Sequence, residues 1–181
     1  MINFKSTIVN KVLGYYFINP SARHYIRELA ILLKLDPGNL SRKMVELKNS
    51  GLFLEVKEGK NCYFSLNQKY PLLKEYKNIY EAQFGVLESL KSVLKKVSGI
   101  KEAYIFGSYA KGNFEAASDI DVLIVGENEH ETLFKVLSAL EKKWHREINI
   151  IDFSGEEYKT RLKNKDPFLK NIFSDKTLRI I

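Results

Sequence analysis

Two aspartates, Asp119 and Asp121, stand one residue apart in Ser118-Asp119-Ile120-Asp121, at the mouth of the apolar run Val122-Leu123-Ile124-Val125. Four consecutive branched apolar residues predict a strand buried on both faces. Alternation along a strand puts Asp119 and Asp121 on one side and Ile120 and Val122 on the other. Carboxylates held this close repel each other unless a cation intervenes. A hard divalent ion such as Mg²⁺ does this, and triphosphate oxygens can complete its shell. About ten residues upstream, Tyr104-Ile105-Phe106 predicts a second buried strand that stops at Gly107-Ser108. Tyr109-Ala110-Lys111 can then begin a short helix that Gly112 ends. A strand feeding a glycine and a helix start offers backbone N–H groups to a phosphate. By itself an Asp-x-Asp pair serves as well to cap a strand end; joined to Gly-Ser, it points to phosphate and metal chemistry.

The stretch from Lys101 to about Phe153 resembles the signature of the DNA polymerase beta nucleotidyltransferase superfamily, especially its small minimal members. The matching residues are Gly107, Ser108, Ala110, Gly112, Asp119 and Asp121. The resemblance implies an α/β (α+β) nucleotidyltransferase fold, a mixed sheet with flanking helices. It also implies a triphosphate held by Gly107 and Ser108, in a nucleotide site completed by Lys111, Gly112, Ser118 and Asn149. Asp119 and Asp121 would hold Mg²⁺, two ions if the site is active. The chain would then move a nucleoside monophosphate from a nucleoside triphosphate to an acceptor hydroxyl on a protein or a small molecule. It is too short to enclose a template. Minimal members often modify a partner toxin of the HEPN type.

One position departs from that pattern. The family places a third carboxylate on a later strand, here Glu147-Ile148-Asn149-Ile150-Ile151, and the matching position is Asn149. An amide can ligate Mg²⁺ through oxygen but carries no negative charge and cannot act as a base. Glu147 lies two residues earlier on the same side. It either supplies a displaced catalytic carboxylate or forms an ion pair, for instance with Arg146. Asp152 falls on the opposite face. The alternative function is a catalytically reduced protein that keeps the nucleotide site and uses it to regulate transcription.

The elements that position this stretch follow from periodicity and caps. Thr7 to Phe17 predicts a helix ended by Asn19-Pro20. His24 to Leu33 predicts a second helix, with Ile26, Leu29, Ala30 and Leu33 at core spacing. Asp36 as N-cap and Pro37 at the first helical position start a third, which runs to about Asn49 and stops at Gly51. Phe53–Lys57 and Asn61–Leu66 read as strands around a turn at Glu58-Gly59. This order resembles the winged helix-turn-helix domains of bacterial and archaeal regulators, a likeness of pattern only. It implies duplex DNA read by Asn39, Ser41 and Arg42 on the third helix. Lys43, Lys57 and Lys60 would sit on phosphates. Such domains also serve as protein adaptors.

Pro71 to Val97 predicts a long helix, with Leu73, Tyr76, Tyr80, Leu87, Leu90, Leu94 and Val97 forming an apolar seam. The seam either makes a homodimer or packs on the chain itself, and Gly85 is where it can divide. Glu131 to Trp144 predicts an amphipathic helix, Glu147 to Phe153 a strand, and Glu156 to Leu162 and Pro167 to Phe173 short helices. Leu178 to Ile181 predicts an edge strand. The expected domains are therefore a winged helix over 1–70, a connecting helix over 71–98 and a nucleotidyltransferase-like domain over 99–181.

Composition sets outer bounds. Of 181 residues 45% are apolar, enough for a packed core. The first 70 residues carry 11 Lys or Arg against 5 Asp or Glu, whereas the last 81 carry 13 against 14. That asymmetry suits a polyanion partner for the first part. No run is long enough to span a membrane, and Met1-Ile2-Asn3-Phe4-Lys5 lacks the pattern of a signal peptide. A lone cysteine, Cys62, fits a reducing compartment, so the expected location is the cytoplasm. His24, His130 and His145 share no metal-ligand spacing.

Overall fold

The computed structural model of the chain describes residues 3–112 and 118–181. The backbone forms two compact units, Met1–Gln83 and Phe84–Ile181. No helix among the described residues is long and apolar enough to cross a membrane.

The first unit contains α1 (Thr7–Ile18), β1 (Arg23–Tyr25), α2 (Ile26–Leu33), α3 (Pro37–Asn49), β2 (Phe53–Glu58), β3 (Asn61–Leu66) and α4 (Leu73–Phe84). Its sheet has the order β1-β3-β2, antiparallel throughout. Asp36 caps α3 by accepting from the Asn39 N–H at 2.8 Å, with Pro37 at the first helical position. Leu13, Tyr16, Leu29, Leu40, Met44 and Leu52 form a fully buried core. The Tyr16 hydroxyl donates to the Phe64 carbonyl at 3.0 Å, which ties α1 to β3. Burial pushes that phenol far above its ordinary value.

The helix expected from His24 begins instead at Ile26. Arg23, His24 and Tyr25 pair with Ser65, Phe64 and Tyr63 of β3. The helical spacing of Leu29, Ala30 and Leu33 is real, but a ladder to a strand forty residues later takes the backbone just before it. Tyr25 and Glu28 then close the N-terminus of α2 as a capping box.

The second unit contains α5 (Val86–Leu94), β4 (Ile100–Phe106), α6 (Gly107–Lys111), β5 (Ile120–Gly126), α7 (His130–Trp144), β6 (Ile148–Phe153), α8 (Gly155–Lys163), α9 (Pro167–Ser174) and β7 (Leu178–Arg179). Its sheet is mixed, in the order β6-β5-β4-β7: β5 and β6 run parallel, and the other neighbours antiparallel. Leu123 and Val125 of β5 and Phe153 of β6 pack with Tyr158, Leu169 and Ile172 of α8 and α9. Ile120, Val122 and Ile124 are completely buried on the opposite face.

The long helix expected over residues 71–97 is two helices. Gly85 stands in extended conformation as the N-cap of α5, which breaks the helical hydrogen-bond ladder there. Of the seam residues Tyr80, Leu90, Leu94 and Val97 are buried within their own units, whereas Leu73, Tyr76 and Leu87 are part-buried. In the first unit Tyr80 packs edge-on against Phe17 and donates to the Asn10 carbonyl at 3.3 Å. In the second, Val86, Leu90 and Leu94 are completely buried.

Candidate active site

Pairing of β5 with both neighbours brings the site together. Asp121 lies opposite Phe106 of β4 and Asn149 of β6. Asp119 precedes β5, and alternation carries both carboxylates to the face shared with Asn149. The Asn149 amide spans the pair: Nδ2 donates to Asp119 Oδ2 and to Asp121 Oδ1, each at 3.3 Å. The two acceptor oxygens are thus no further apart than twice that distance. Burial pushes the Asp121 carboxyl above its ordinary value; the Asn149 hydrogen bond opposes this, and the charge of Asp119 adds to it.

Gly107 is dictated twice over. Its φ of +70° lies where side chains are rarely tolerated, and a Cβ there would strike the Asp121 carboxylate. The turn therefore brings backbone directly against the acidic pair. Ser108, next in α6, is part-buried. Gly112 closes α6 at φ +83°, and its N–H points back to the Ser108 and Tyr109 carbonyls. Lys111 forms an ion pair with Asp175 at 2.5 Å. The Ser118 carbonyl accepts from Arg146 Nη1 at 3.2 Å, anchoring the backbone just before Asp119.

The donor set fits a divalent cation. Two carboxylates converge, one with raised proton affinity, and the Asn149 amide bonded to both is a neutral N–H donor standing where positive charge is wanted. Turning the Asn149 amide over would present its oxygen instead. Among the described residues no three His, Cys, Asp or Glu side chains gather to hold a metal; Asp119, Asp121 and the Asn149 amide are the groups brought together here.

Glu147 lies just outside β6 with its side chain exposed, and its carbonyl accepts from the Ile120 N–H at 3.0 Å. It lines the same open surface as Asn149 and Arg146. Asp152 faces away, accepting from Asn128 Nδ2 at 2.8 and 2.9 Å. In the first unit Asn39 and Arg42 are exposed and hydrogen-bonded to each other. Ser41 is part-buried, Lys43 pairs with Glu46 at 2.8 Å, and Lys57 and Lys60 are exposed on the hairpin. Two features escaped the sequence reading: Arg146 as the anchor of Ser118, and Asp175 as the partner of Lys111. Both join residues distant in the chain, and no local spacing signals them.

Comparison with known proteins gives the same assignment for the second unit. Residues 88–177 match the family model described as polymerase beta, nucleotidyltransferase. A Methanocaldococcus jannaschii protein named "Putative protein adenylyltransferase MJ0604" is 33% identical over 79 residues, 43% of this chain and 79% of the relative. Among solved structures, "Crystal structure of the toxin-antitoxin with AMP-PNP" aligns with a TM-score of 0.39 at 15% identity, over 53% of this chain and 73% of that one. A "putative nucleotidyltransferase from Sulfolobus solfataricus" aligns with a TM-score of 0.30 at 25% identity, over 44% and 77%. Neither structural likeness is close enough to bear on the fold. The sequence matches suffice: through its second unit, the chain belongs to the polymerase beta nucleotidyltransferase family.

Proposed function

We propose that the chain transfers a nucleoside monophosphate from a nucleoside triphosphate to a protein hydroxyl, with ATP the first donor to test. The observation that carries this reading is the convergence of Asp119, Asp121 and Asn149 against the Gly107 turn. The name of the M. jannaschii relative supports adenylyl transfer to a protein. Asp119 and Asp121 would hold Mg²⁺, with Asn149 contributing its amide oxygen. When bound, the ion supplies charge neutralisation at the phosphates and polarises the one under attack. Gly107 lets the turn lie against the Asp121 carboxylate, and Ser108 would contribute its hydroxyl and backbone to the triphosphate. Arg146 holds the Ser118 carbonyl and with it the approach of Asp119. The acceptor oxygen forms a bond to the α-phosphorus, the bond to the bridging oxygen breaks, and pyrophosphate leaves. Asn149 cannot take the acceptor's proton, so the proton goes to Glu147 or to solvent.

The amide at position 149 favours a second reading, in which turnover is lost and nucleotide binding remains. The first unit would then act as a winged helix on duplex DNA. Its helix, strand, helix, helix and hairpin, with exposed Asn39, Arg42, Lys57 and Lys60, support that role. Nucleotide would bias DNA affinity through its own different affinities for two domain arrangements.

Transfer of label from α-phosphate-labelled ATP, with Mg²⁺ and a lysate of the source cells, separates the two. A labelled protein that disappears with Asp119→Ala/Asp121→Ala establishes the transferase. Mg²⁺-dependent nucleotide binding with no labelled product would establish the second reading.

A further inference from the structure

The chain passes from α7 to β6 through a corner that one residue closes. Leu140 and Trp144 are buried at the end of α7, and His145 ends the helix in the left-handed conformation, at φ +52°. β6 begins at Ile148. Glu141 accepts three backbone N–H groups of this corner. Its carbonyl takes those of His145 and, at 3.3 Å, Arg146; its Oε1 takes that of Ile148 at 2.9 Å.

The bond to Ile148 is one that ending a helix does not require. The Glu147 carbonyl accepts from the Ile120 N–H, so Glu147 and Asn149 turn their backbone groups to β5. Ile148 turns its own to the other side, and β6 is the outermost of the described strands there. Ile148 is also buried, at 7% exposed, so an N–H left without a partner would be costly. The Glu141 carboxylate supplies that partner. A negative charge in the last turn of a helix opposes the helix dipole, so local preference does not place a glutamate here. Its gain is the Ile148 N–H.

The same corner is tied to the acidic site. Arg146 Nη1 and the Glu147 carbonyl bond to Ser118 and Ile120, the two neighbours of Asp119. Asn149, next after Ile148, reaches Asp119 and Asp121 through two bonds of 3.3 Å. Bonds of that length are near the limit for N–H donors, so a small shift in the start of β6 would break them.

Resting on the transferase reading, we infer that Glu141 is a positioning residue for that reaction: by fixing Ile148 it sets the Asn149 amide against Asp119 and Asp121, in the arrangement that receives the cation. Glu141 acts through Ile148 and Asn149 and not by contact with the ion. It serves as a hydrogen-bond acceptor, and its charge is incidental.

The test uses the full chain and Mn²⁺ alone as probe, with binding read from the loss of the free-ion signal in electron paramagnetic resonance. Glu141→Ala should weaken Mn²⁺ binding about three- to tenfold, as loss of one hydrogen bond to a charged acceptor does. Glu141→Gln keeps an acceptor oxygen and should stay within about twofold of the parent on the same scale. In an Asn149→Ala background, Glu141→Ala should lose most of its effect, because the residue through which it acts is gone. Should Glu141→Ala fail to fold, Glu141→Asp takes its place, since the shorter side chain withdraws the oxygen from Ile148. Four results would overturn the inference: the parent binds no Mn²⁺; Glu141→Ala binds it as the parent does; Glu141→Gln is as weak as Glu141→Ala, which would make the effect one of charge; or the loss persists in full without Asn149. The expected Mn²⁺ pattern with no label transfer by the parent would refute the transferase reading alone. Label transfer by the parent, with Mn²⁺ binding indifferent to Glu141→Ala, would refute the positioning role alone.

Discussion

Replacing Asn149 by aspartate tests the acidic site most instructively, because it swaps a neutral donor for a third negative charge at a known position. Asn149→Asp removes two hydrogen bonds to carboxylates, both long at 3.3 Å. It also brings a carboxylate close to two others. Unit charges about 4 Å apart cost ~1 kcal/mol in water and ~4 kcal/mol at the effective dielectric of a protein surface. Asn149 is exposed, so the lower figure governs. With the lost hydrogen bonds, the metal-free second unit should lose about 2–3 kcal/mol. For a unit of this size that corresponds to a fall in Tm of roughly 10–20 °C. Millimolar Mg²⁺ should restore most of it, because a cation then faces three carboxylates. Thermal unfolding in chelator and in Mg²⁺ reads both halves, and pyrophosphate release should rise above the parent's rate. Unchanged stability in chelator, or a loss that Mg²⁺ does not repair, would refute a cation site at this position.

Gly107→Ala should lower stability by about 2 kcal/mol or more, from a left-handed backbone and a clash with Asp121, and should abolish nucleotide binding in calorimetry. The Tyr80 phenol is pushed up to about 12 by burial. Since its folded value exceeds the unfolded one, its contribution is complete below pH ~10 and is lost as pH rises towards 12, about 2–3 kcal/mol in all. Tyr80→Phe should therefore flatten the alkaline fall in stability of the first unit; an unchanged slope in urea titrations would contradict the burial argument. If the first unit binds duplex DNA, affinity should fall steeply between low and physiological salt, and Arg42→Ala should weaken it at every salt concentration. Binding that ignores salt would remove DNA from the account.

Much of the site was legible because its requirements are local. Gly107 must be glycine for its φ and for the space beside Asp121, and a strand-glycine-helix pattern announces that. Alternation put Asp119 and Asp121 on one face, and the family resemblance put Asn149 beside them. Asp36-Pro37 named the start of α3 because its cap is made by the residue three positions on. What was not legible depends on distant partners. β1 exists because β3 pairs with it, and nothing in Arg23-His24-Tyr25 distinguishes the start of a helix from a short strand. The seam of residues 71–97 keeps its apolar spacing with one polar insertion, Gln83, and the burial of Tyr80 in one unit and of Leu90 and Leu94 in the other goes with Gly85 as a cap. Lys111 was read as a phosphate ligand from its place in α6, and its pairing with Asp175 comes from the far end of the chain.

The most direct test of the central claim is pyrophosphate release from each nucleoside triphosphate in Mg²⁺, with source-cell lysate supplying acceptors and Asp119→Ala/Asp121→Ala as control. The account predicts release with at least one nucleotide, lost in the control and reduced by Glu147→Gln if that residue takes the proton. Release equal in parent and double variant, or none with any nucleotide, would contradict it.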